Sequence, residues 1–576
     1  PDPQGRGCLT AEGRTCMKKW MIYLREFYQN RIYLLLLGLS ALFSYGFLVT
    51  HSAIGIDDTP YAYYFEEGLA AIVGRWVLFL LNKLVHIADY APFLTDLGGV
   101  LILMAGVTVW CAFFYSVFGE TVPKPGYIMF SCLFLSSPIL SEVFTYFLHN
   151  GVALGYLFCG ISLCFFREGC SRGRRFLPFA GSCIFLWLAL GCYESFMTVW
   201  LLGGCLLFLS ERLAGIRKKM FPVLGKGVAV AAAAILLRSL MIRTVTGIFG
   251  LEYLQEEAVR RSVAEMASWM LQPGAFSEFI MVLKRIFVMY GVFAYAYYPI
   301  KIFLLAAAVI WIYSIYKSIR KRDIWIFLLC AGGFFSSFLL AFVEGKATLY
   351  RSAQFLPVIC GYGALVLVYA ARSFFGKDTG GLQKLPERFG RLQKRLIPAA
   401  RAVLMALLCV ILWNQCADMN KWFYVDYMKY EDAKNTINQV AYVLEKDFDI
   451  SKPVVFTGTY EIPRSIIQDA YVEYNSEIYY KMLHVTSLLD SRLLEKFYRD
   501  YGVWVAQTPS LSVIDWGRYA FGTDEELVRF AAMHGHDLAP LLETDYAAAE
   551  EYSLNLPEFP AEGSVVDVGD YIIVHF

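Results

Sequence analysis

The stretch SAIGIDDTPYAYYFEEGLAAIVGRW (52–76) carries Asp57, Asp58, Glu66, Glu67 and Arg75 in a chain otherwise poor in charge. A carboxylate can take a proton from a hydroxyl. A guanidinium can grip a phosphate through its planar fork. Further groups of the same kinds follow. Glu142 and Tyr146 lie in SPILSEVFTYFLHN, Tyr193 and Glu194 in CYESF, and Arg238 and Arg243 in LLRSLMIRTV. Glu344, Lys346 and Arg351 close the series. Each also has a plain structural reading. An Asp before Thr59–Pro60 can cap a helix. Arg75–Trp76 reads equally as an interfacial anchor. Glu66 or Glu67 can occupy a solvated face, Glu194 an exposed turn, and Glu344 with Lys346 a salt-bridged loop. Tyr146 falls at i+4 from Glu142, on one helix face. His149 is expected to be interfacial.

These side chains need a scaffold, and composition says which. The 576 residues are 57% hydrophobic and 18% charged, where a soluble domain carries about a quarter charged residues. Lipid is therefore the expected solvent. The net charge of +1 gives no bulk attraction to nucleic acid. Fourteen cysteines without a CxxC pair read as apolar filler rather than a disulfide framework or zinc site. The close pair His534 and His536 is too little for a metal centre.

A membrane-crossing helix needs about 20 mostly apolar residues. Eleven runs qualify as candidates: 32–50, 95–118, 127–147, 151–166, 176–193, 196–210, 222–246, 298–316, 324–343, 354–374 and 398–416. The loops 119–126, 167–175, 211–219, 317–322 and 372–401 hold 21 Lys and Arg together, whereas 147–150 and 194–195 hold none. Basic loops stay in the cytoplasm, so every unusual charge named above is expected on the outer side. Residues 1–31 are then a cytoplasmic N-terminus, in which Met17 reads as a natural start and 1–16 as upstream sequence. Residues 32–416 form the transmembrane domain, with outer loops 51–94 and 247–297. The second loop contains LEYLQEEAVRRSVAEMASWML, an amphipathic helix pattern. The 377–395 stretch is a basic loop suited to anionic lipid.

From 417 the character changes. YEDAKNTINQVAYVLEKDFDI predicts an amphipathic helix, KPVVFTG a buried strand ending at a Gly turn, and SVVDVGDYIIVHF two strands around Val568–Gly569–Asp570. Residues 417–576 thus read as an extracytoplasmic α/β domain. Its tyrosines, such as Tyr460, Tyr471, Tyr474, Tyr479 and Tyr480, suit either sugar stacking or a plain core. Charge near membrane depth is costly and tends to face a cavity. Carboxylates and guanidiniums converging on one rim would suit transfer from a lipid-linked phosphate. The carboxylate would deprotonate an acceptor hydroxyl and the cations would stabilise the departing phosphate.

The order IDD, GRW, SPILSEVFTY, CYES resembles the bacterial glucosyltransferase II family, the serotype-converting O-antigen glucosyltransferases. Trp76 stands where that family's triplet ends in Pro, and Glu194 where its turn has Gln. The resemblance implies a GT-C membrane glycosyltransferase of the bacterial cell membrane, working on the outer leaflet. Its donor would be a polyprenyl-phosphate sugar such as undecaprenyl-phosphate glucose, and its acceptor a surface polysaccharide. It implies Asp57 or Asp58 as general base and Glu142 as a helper. Arg75, Glu67, Tyr146, Tyr193, Glu194, Arg238 and Arg351 become substrate-binding candidates. No cofactor is required, although adjacent Asp residues leave a divalent metal open. The rival readings are a transporter or flippase of lipid-linked sugars and a non-catalytic envelope assembly protein.

Overall fold

The computed structural model describes residues 17–54, 58, 68–85, 91–146, 149–171, 176–251, 267–291, 298–345, 350–375, 387–458, 524–539 and 546–576. In chain order its helices are α1 (Met17–Gln29), α2 (Arg31–Thr50), α3 (Gly68–Ile72), α4 (Trp76–Val85), α5 (Pro92–Phe118), α6 (Lys124–Leu135) and α7 (Ser141–Phe144). Then come α8 (His149–Ser171), α9 (Phe176–Cys192), α10 (Phe196–Leu213), α11 (Met220–Phe249), α12 (Ala275–Tyr290) and α13 (Tyr298–Lys321). The series ends with α14 (Ile324–Ser337), α15 (Leu339–Glu344), α16 (Phe355–Phe375), α17 (Glu387–Asp447), α18 (Asp524–Met533) and α19 (Tyr546–Ser553).

Among the described residues, nine helices are long and apolar enough to cross a membrane. They coincide with nine of the eleven predicted runs. The other two runs are α9 and α14, which are apolar but shorter. The run at 324–343 is divided because Phe338 leaves helical geometry between α14 and α15. One apolar helix, α4, was not predicted; it lies within what reads as an outer loop. The chain is a polytopic all-α membrane protein with a small sheet near its C-terminus. Large apolar side chains stay exposed on its outer helices, among them Leu35 and Leu42 on α2, Leu236 and Leu240 on α11, and Trp413 on α17. With lipid as solvent this exposure costs nothing. The spans differ sharply in depth. That of α6 and α7 is 94% buried and that of α11 only 22%, which puts the former at the centre of the bundle.

The central span is broken where its sequence requires it. Ser137 precedes Pro138 and takes extended geometry at φ −63, ψ 118, because a proline ring disfavours the helical region for the residue before it. The chain resumes as a turn of 3-10 helix and then α7, so Glu142 is aimed independently of α6. Ser136 Oγ lies 2.8 Å from the Cys132 carbonyl and 3.0 Å from Gln415 Oε1, sharing its one proton between them, which ties α17 to the break.

Elsewhere the bundle is closed by small residues beneath large ones. A Cβ on Gly155 of α8 would fall within the ring of Phe196 at the start of α10. Trp110 of α5 donates to the Tyr156 carbonyl at 3.0 Å, and the Tyr156 hydroxyl reaches the Gln354 carbonyl at 2.6 Å. One end of the bundle is stapled by charge. Buried Glu211 is held by Arg167 at 3.0 Å and Lys218 at 2.9 Å, and Arg212 pairs with Asp323 at 2.8 Å. Lys321 donates to the last carbonyls of α10, as a cation at a helix C-terminus should.

The C-terminal region grows out of the bundle without a joint. The amphipathic pattern after 430 is helical as expected, but it is the end of α17, which runs unbroken for 61 residues. Strands β1 (Val454–Thr457), β2 (Val565–Asp567) and β3 (Ile572–His575) form a sheet of order β1-β3-β2. β1 pairs parallel with β3, and β2 antiparallel with it. Gly458 and Gly569 have φ of 80 and 102, so both expected turns have the left-handed backbone that glycine tolerates. Ile54, just past α2, joins Tyr430, Ile437, Val454, Phe530 and Ile572 in one core. Of the predicted amphipathic helix at 251–271, residues 252–266 lie outside the described residues, and its end, Ser268–Leu271, is a turn of 3-10 helix.

Replacing Gly155 by Ala should cost about 1–3 kcal/mol through overpacking against Phe196, read as a lower unfolding midpoint in detergent. Gly98→Ala, inside α5 with open space around it, should hold or slightly raise the midpoint, since Ala is the better helix former. Glu211→Ala should strand Arg167 and Lys218 and cost on the order of 3–5 kcal/mol, measured the same way.

Candidate functional site

Every described candidate lies at the bundle end opposite the Glu211–Asp323 staple, because successive spans alternate in direction. Asp58 is in the segment after α2, Arg75 opens α4, Glu142 and Tyr146 end the third span, and Tyr193 follows α9. Arg238 lies in the later half of α11 and Arg351 just before α16. Asp57, Glu66, Glu67 and Lys346 lie outside the described residues, as do Tyr460, Tyr471, Tyr474, Tyr479 and Tyr480.

Three of these residues meet. The guanidinium of Arg75 lies over the Tyr193 ring, 4.5 Å from its centroid. Arg238 reaches the same place from α11. Its Nε donates to the Leu190 carbonyl at 3.0 Å, and its Nη2 occupies the position a Cβ of Gly74 would take. Gly74 has φ +88, so backbone geometry and the arginine both demand the absence of a side chain. Trp76 packs on Trp187 at 4.6 Å, which locks α4 against α9 and fixes where Arg75 starts. The Nε of Arg75 is buried and has no hydrogen-bond partner among the described residues. One guanidinium thus lies over an aromatic face with a buried, unsatisfied N–H donor, and a second crosses the turn beside it. Arg243, one turn and more beyond Arg238, is exposed and takes no part.

Glu142 is 8% exposed and lies near enough to buried Tyr350 to act on it electrostatically. The turn Tyr350–Ser352 that packs against α7 also carries Arg351. Asp58 is wholly buried. Tyr193 is buried, and Glu194 half-buried beside it.

Tyr146 does not continue Glu142's helix face. α7 stops at Phe144, and the Tyr146 amide closes back onto the Val143 carbonyl at 3.1 Å, an i to i−3 turn. Tyr146 instead lines a small enclosed cavity with His51, Ser52, Asp96, Phe423 and Asp426. Asp96 was missed in the sequence because it reads as one carboxylate near the start of an apolar helix. His149 is the other correction: it is fully buried rather than interfacial. Its Nδ1 is 2.7 Å from the Tyr146 carbonyl, and its Nε2 is 3.6 Å from Asp96 Oδ1. It thereby joins α5 to the end of the third span. Among the described residues, no group of three or more His, Cys, Asp or Glu is placed to hold a metal.

A family model described as glucosyl transferase GtrII matches residues 46–368. No curated protein and no solved structure matches the chain. The matched part runs from the end of α2 into α16 and contains the Arg75–Tyr193–Arg238 group, Asp58, Glu142 and Arg351. It covers more than half of the sequence, and on it the chain belongs to the glucosyl transferase GtrII family.

Proposed function

We propose that the protein transfers glucose from a polyprenyl-phosphate donor to a glycan outside the cytoplasmic membrane. The observation that carries this reading is Arg75 over the Tyr193 ring with its Nε unsatisfied, and Arg238 crossing the adjacent Gly74. A single phosphate at the end of a lipid is the donor feature such a pair would bind, and the outward-facing apolar helices bring the lipid beside it. The staple end is rich in Lys and Arg, and the positive-inside rule assigns that end to the cytoplasm. The arginines, the C-terminal region and the reaction are then extracytoplasmic, at the level of the outer headgroups.

The chemistry follows from these groups. An acceptor hydroxyl attacks the anomeric carbon while its proton passes to the carboxylate of Asp57 or Asp58. The bond from that carbon to the phosphate oxygen breaks, and polyprenyl phosphate leaves with its charge held by Arg75 and Arg238. Glu142, beside the turn that carries Arg351, orients sugar hydroxyls. Tyr193 and Glu194 flank the phosphate position. Because the leaving group carries one phosphate, guanidiniums suffice without a divalent ion.

Asp57→Asn, Asp58→Asn and the double variant should be assayed with undecaprenyl-phosphate glucose in detergent. The single variant that removes the base should lose about 10²–10⁴-fold in rate, and full transfer by the double variant would refute the assignment. Arg75→Ala should raise the KM for donor by tenfold or more, roughly the 1.4 kcal/mol or more expected of a charge-assisted phosphate contact. Arg75→Lys should recover only part of it, since a point charge lacks the fork. An unchanged donor KM in both would remove Arg75 from the site.

A further inference from the structure

We propose that Asp96 and His149 are a positioning pair for Glu142: together they fix the short helix α7, which aims this carboxylate. The pair touches no substrate and acts through Glu142. What Glu142 does there rests on the glucosyl-transfer reading; that it is held in this way does not.

α7 has little of its own to hold it. It is four residues long, and with the turn of 3-10 helix before it the piece spans only Pro138–Phe144. Extended Ser137 cuts it off from α6, and the turn at Tyr146 ends it. A helical piece this short is unstable by itself, so its aim must come from its neighbours. Glu142 lies two residues before Phe144. The Phe144 ring has Tyr45 of α2 at 4.8 Å, and the imidazole of His149 stacks on it, also at 4.8 Å. The same imidazole reaches the Tyr146 carbonyl through Nδ1 at 2.7 Å. One ring therefore holds α7 twice, by the side chain of its last residue and by the backbone of the turn that ends it.

The imidazole is in turn fixed from α5. Gly99 makes room for it: a Cβ there would lie 2.5 Å from His149 Cδ2 and 2.6 Å from Nε2. Nε2 comes to 3.3 Å from the Thr95 carbonyl and 3.6 Å from Asp96 Oδ1. The partners say where the protons are. A carbonyl only accepts, so Nδ1 carries the proton that Tyr146 receives. Nε2 faces a carbonyl and a carboxylate, so a second proton lies between Nε2 and Asp96, on one or the other. His149 is fully buried and Asp96 is 7% exposed, and sharing that proton spares both an uncompensated charge. On its other side Asp96 borders a cavity of about 20 Å³ with His51, Ser52, Tyr146 and Asp426, and no Lys or Arg lines it. His149 is thus the ion-pair partner that the structure gives Asp96. A histidine that merely fills a core needs one partner at most. This one has both nitrogens, one face and one edge specified, by α5 on one side and by α7 with its closing turn on the other. A carboxylate that must meet a sugar in one geometry depends on supports of this kind.

The test follows consumption of undecaprenyl-phosphate glucose by the full chain in detergent. Asp96→Asn keeps a donor and an acceptor beside Nε2, so it should run close to the wild-type rate. Asp96→Leu, similar in size with neither, should lose about tenfold or more in kcat. Its donor KM should not change, because Arg75 and Arg238 hold the phosphate. Gly99→Ala, which displaces the ring and removes no polar group, should show the same split. Neither Asp96→Leu nor Gly99→Ala should slow a Glu142→Gln enzyme further, since both act through that carboxylate. An Asp96→Asn enzyme as slow as Asp96→Leu overturns the pair. So do losses that multiply with that of Glu142→Gln, or a loss confined to donor KM. If Asp96→Leu does not fold, Asp96→Asn and Gly99→Ala still decide the matter. A wild type that consumes no donor sinks the transfer reading alone. The hold on α7 is then read from the unfolding midpoints of Asp96→Leu, Glu142→Gln and their double variant, where additive shifts overturn it.

Discussion

Arg238 can cross Gly74 only because that residue has neither a side chain nor an ordinary backbone angle. A guanidinium partway down a lipid-exposed helix is costly unless it finds acceptors. α11 is peripheral, so nothing on its own helix offers them. The Leu190 carbonyl near the end of α9 does, and the direct route to it passes over the turn between α3 and α4. One arginine thereby adds a polar tie to three elements that already share an apolar cluster. The same closure brings Arg75 beside it, since Arg75 is the next residue after the glycine.

Proline 138 plays the complementary part at the centre of the bundle. An unbroken third span would present Glu142 and Tyr146 on one face, as their spacing implies. The break after Ser136 and the tightened turn after Phe144 send them different ways. Glu142 goes to the Tyr350–Ser352 turn, and Tyr146 to the cavity with Asp96. Ser136 reaches across the break to Gln415, so α17 is committed to the central span as well as to lipid.

Hydropathy alone located the apolar runs, because lipid sets a minimum length and an apolar composition that few other constraints imitate. The strands and turns near the C-terminus were legible for a different reason. Glycines at 458 and 569 follow or separate short β-branched runs, and only a turn uses both features. What could not be read is tertiary in origin. His149 and Asp96 are 53 positions apart in the sequence, and each alone looks like an ordinary helix-end residue. Their meeting depends on how α5 and α8 pack. α4 escaped notice because ten residues fall short of a span, although its apolar side chains bury against α9 and α11. The continuity of α17 was also hidden. Its composition turns from apolar to amphipathic near 417, which reads as a boundary, yet backbone hydrogen bonding is indifferent to what surrounds the helix.

That continuity has a mechanical consequence. Sixty-one residues of α-helix extend for about 90 Å, about three times the thickness of the hydrocarbon layer. The part that faces lipid, with Leu407 and Trp413 exposed, is rigidly in line with the part that carries Tyr430 and Ile437 into the C-terminal core. A flexible linker would let the C-terminal region sample many orientations above the membrane. A single helix, anchored to the central break by Gln415 and to the end of α2 by the Asn420 bond to the Phe43 carbonyl at 2.6 Å, permits very few. The core that Ile54 shares with this region adds a second tether from the segment that leads to Asp58. The sheet, α18 and the arginine pair are therefore held in one frame.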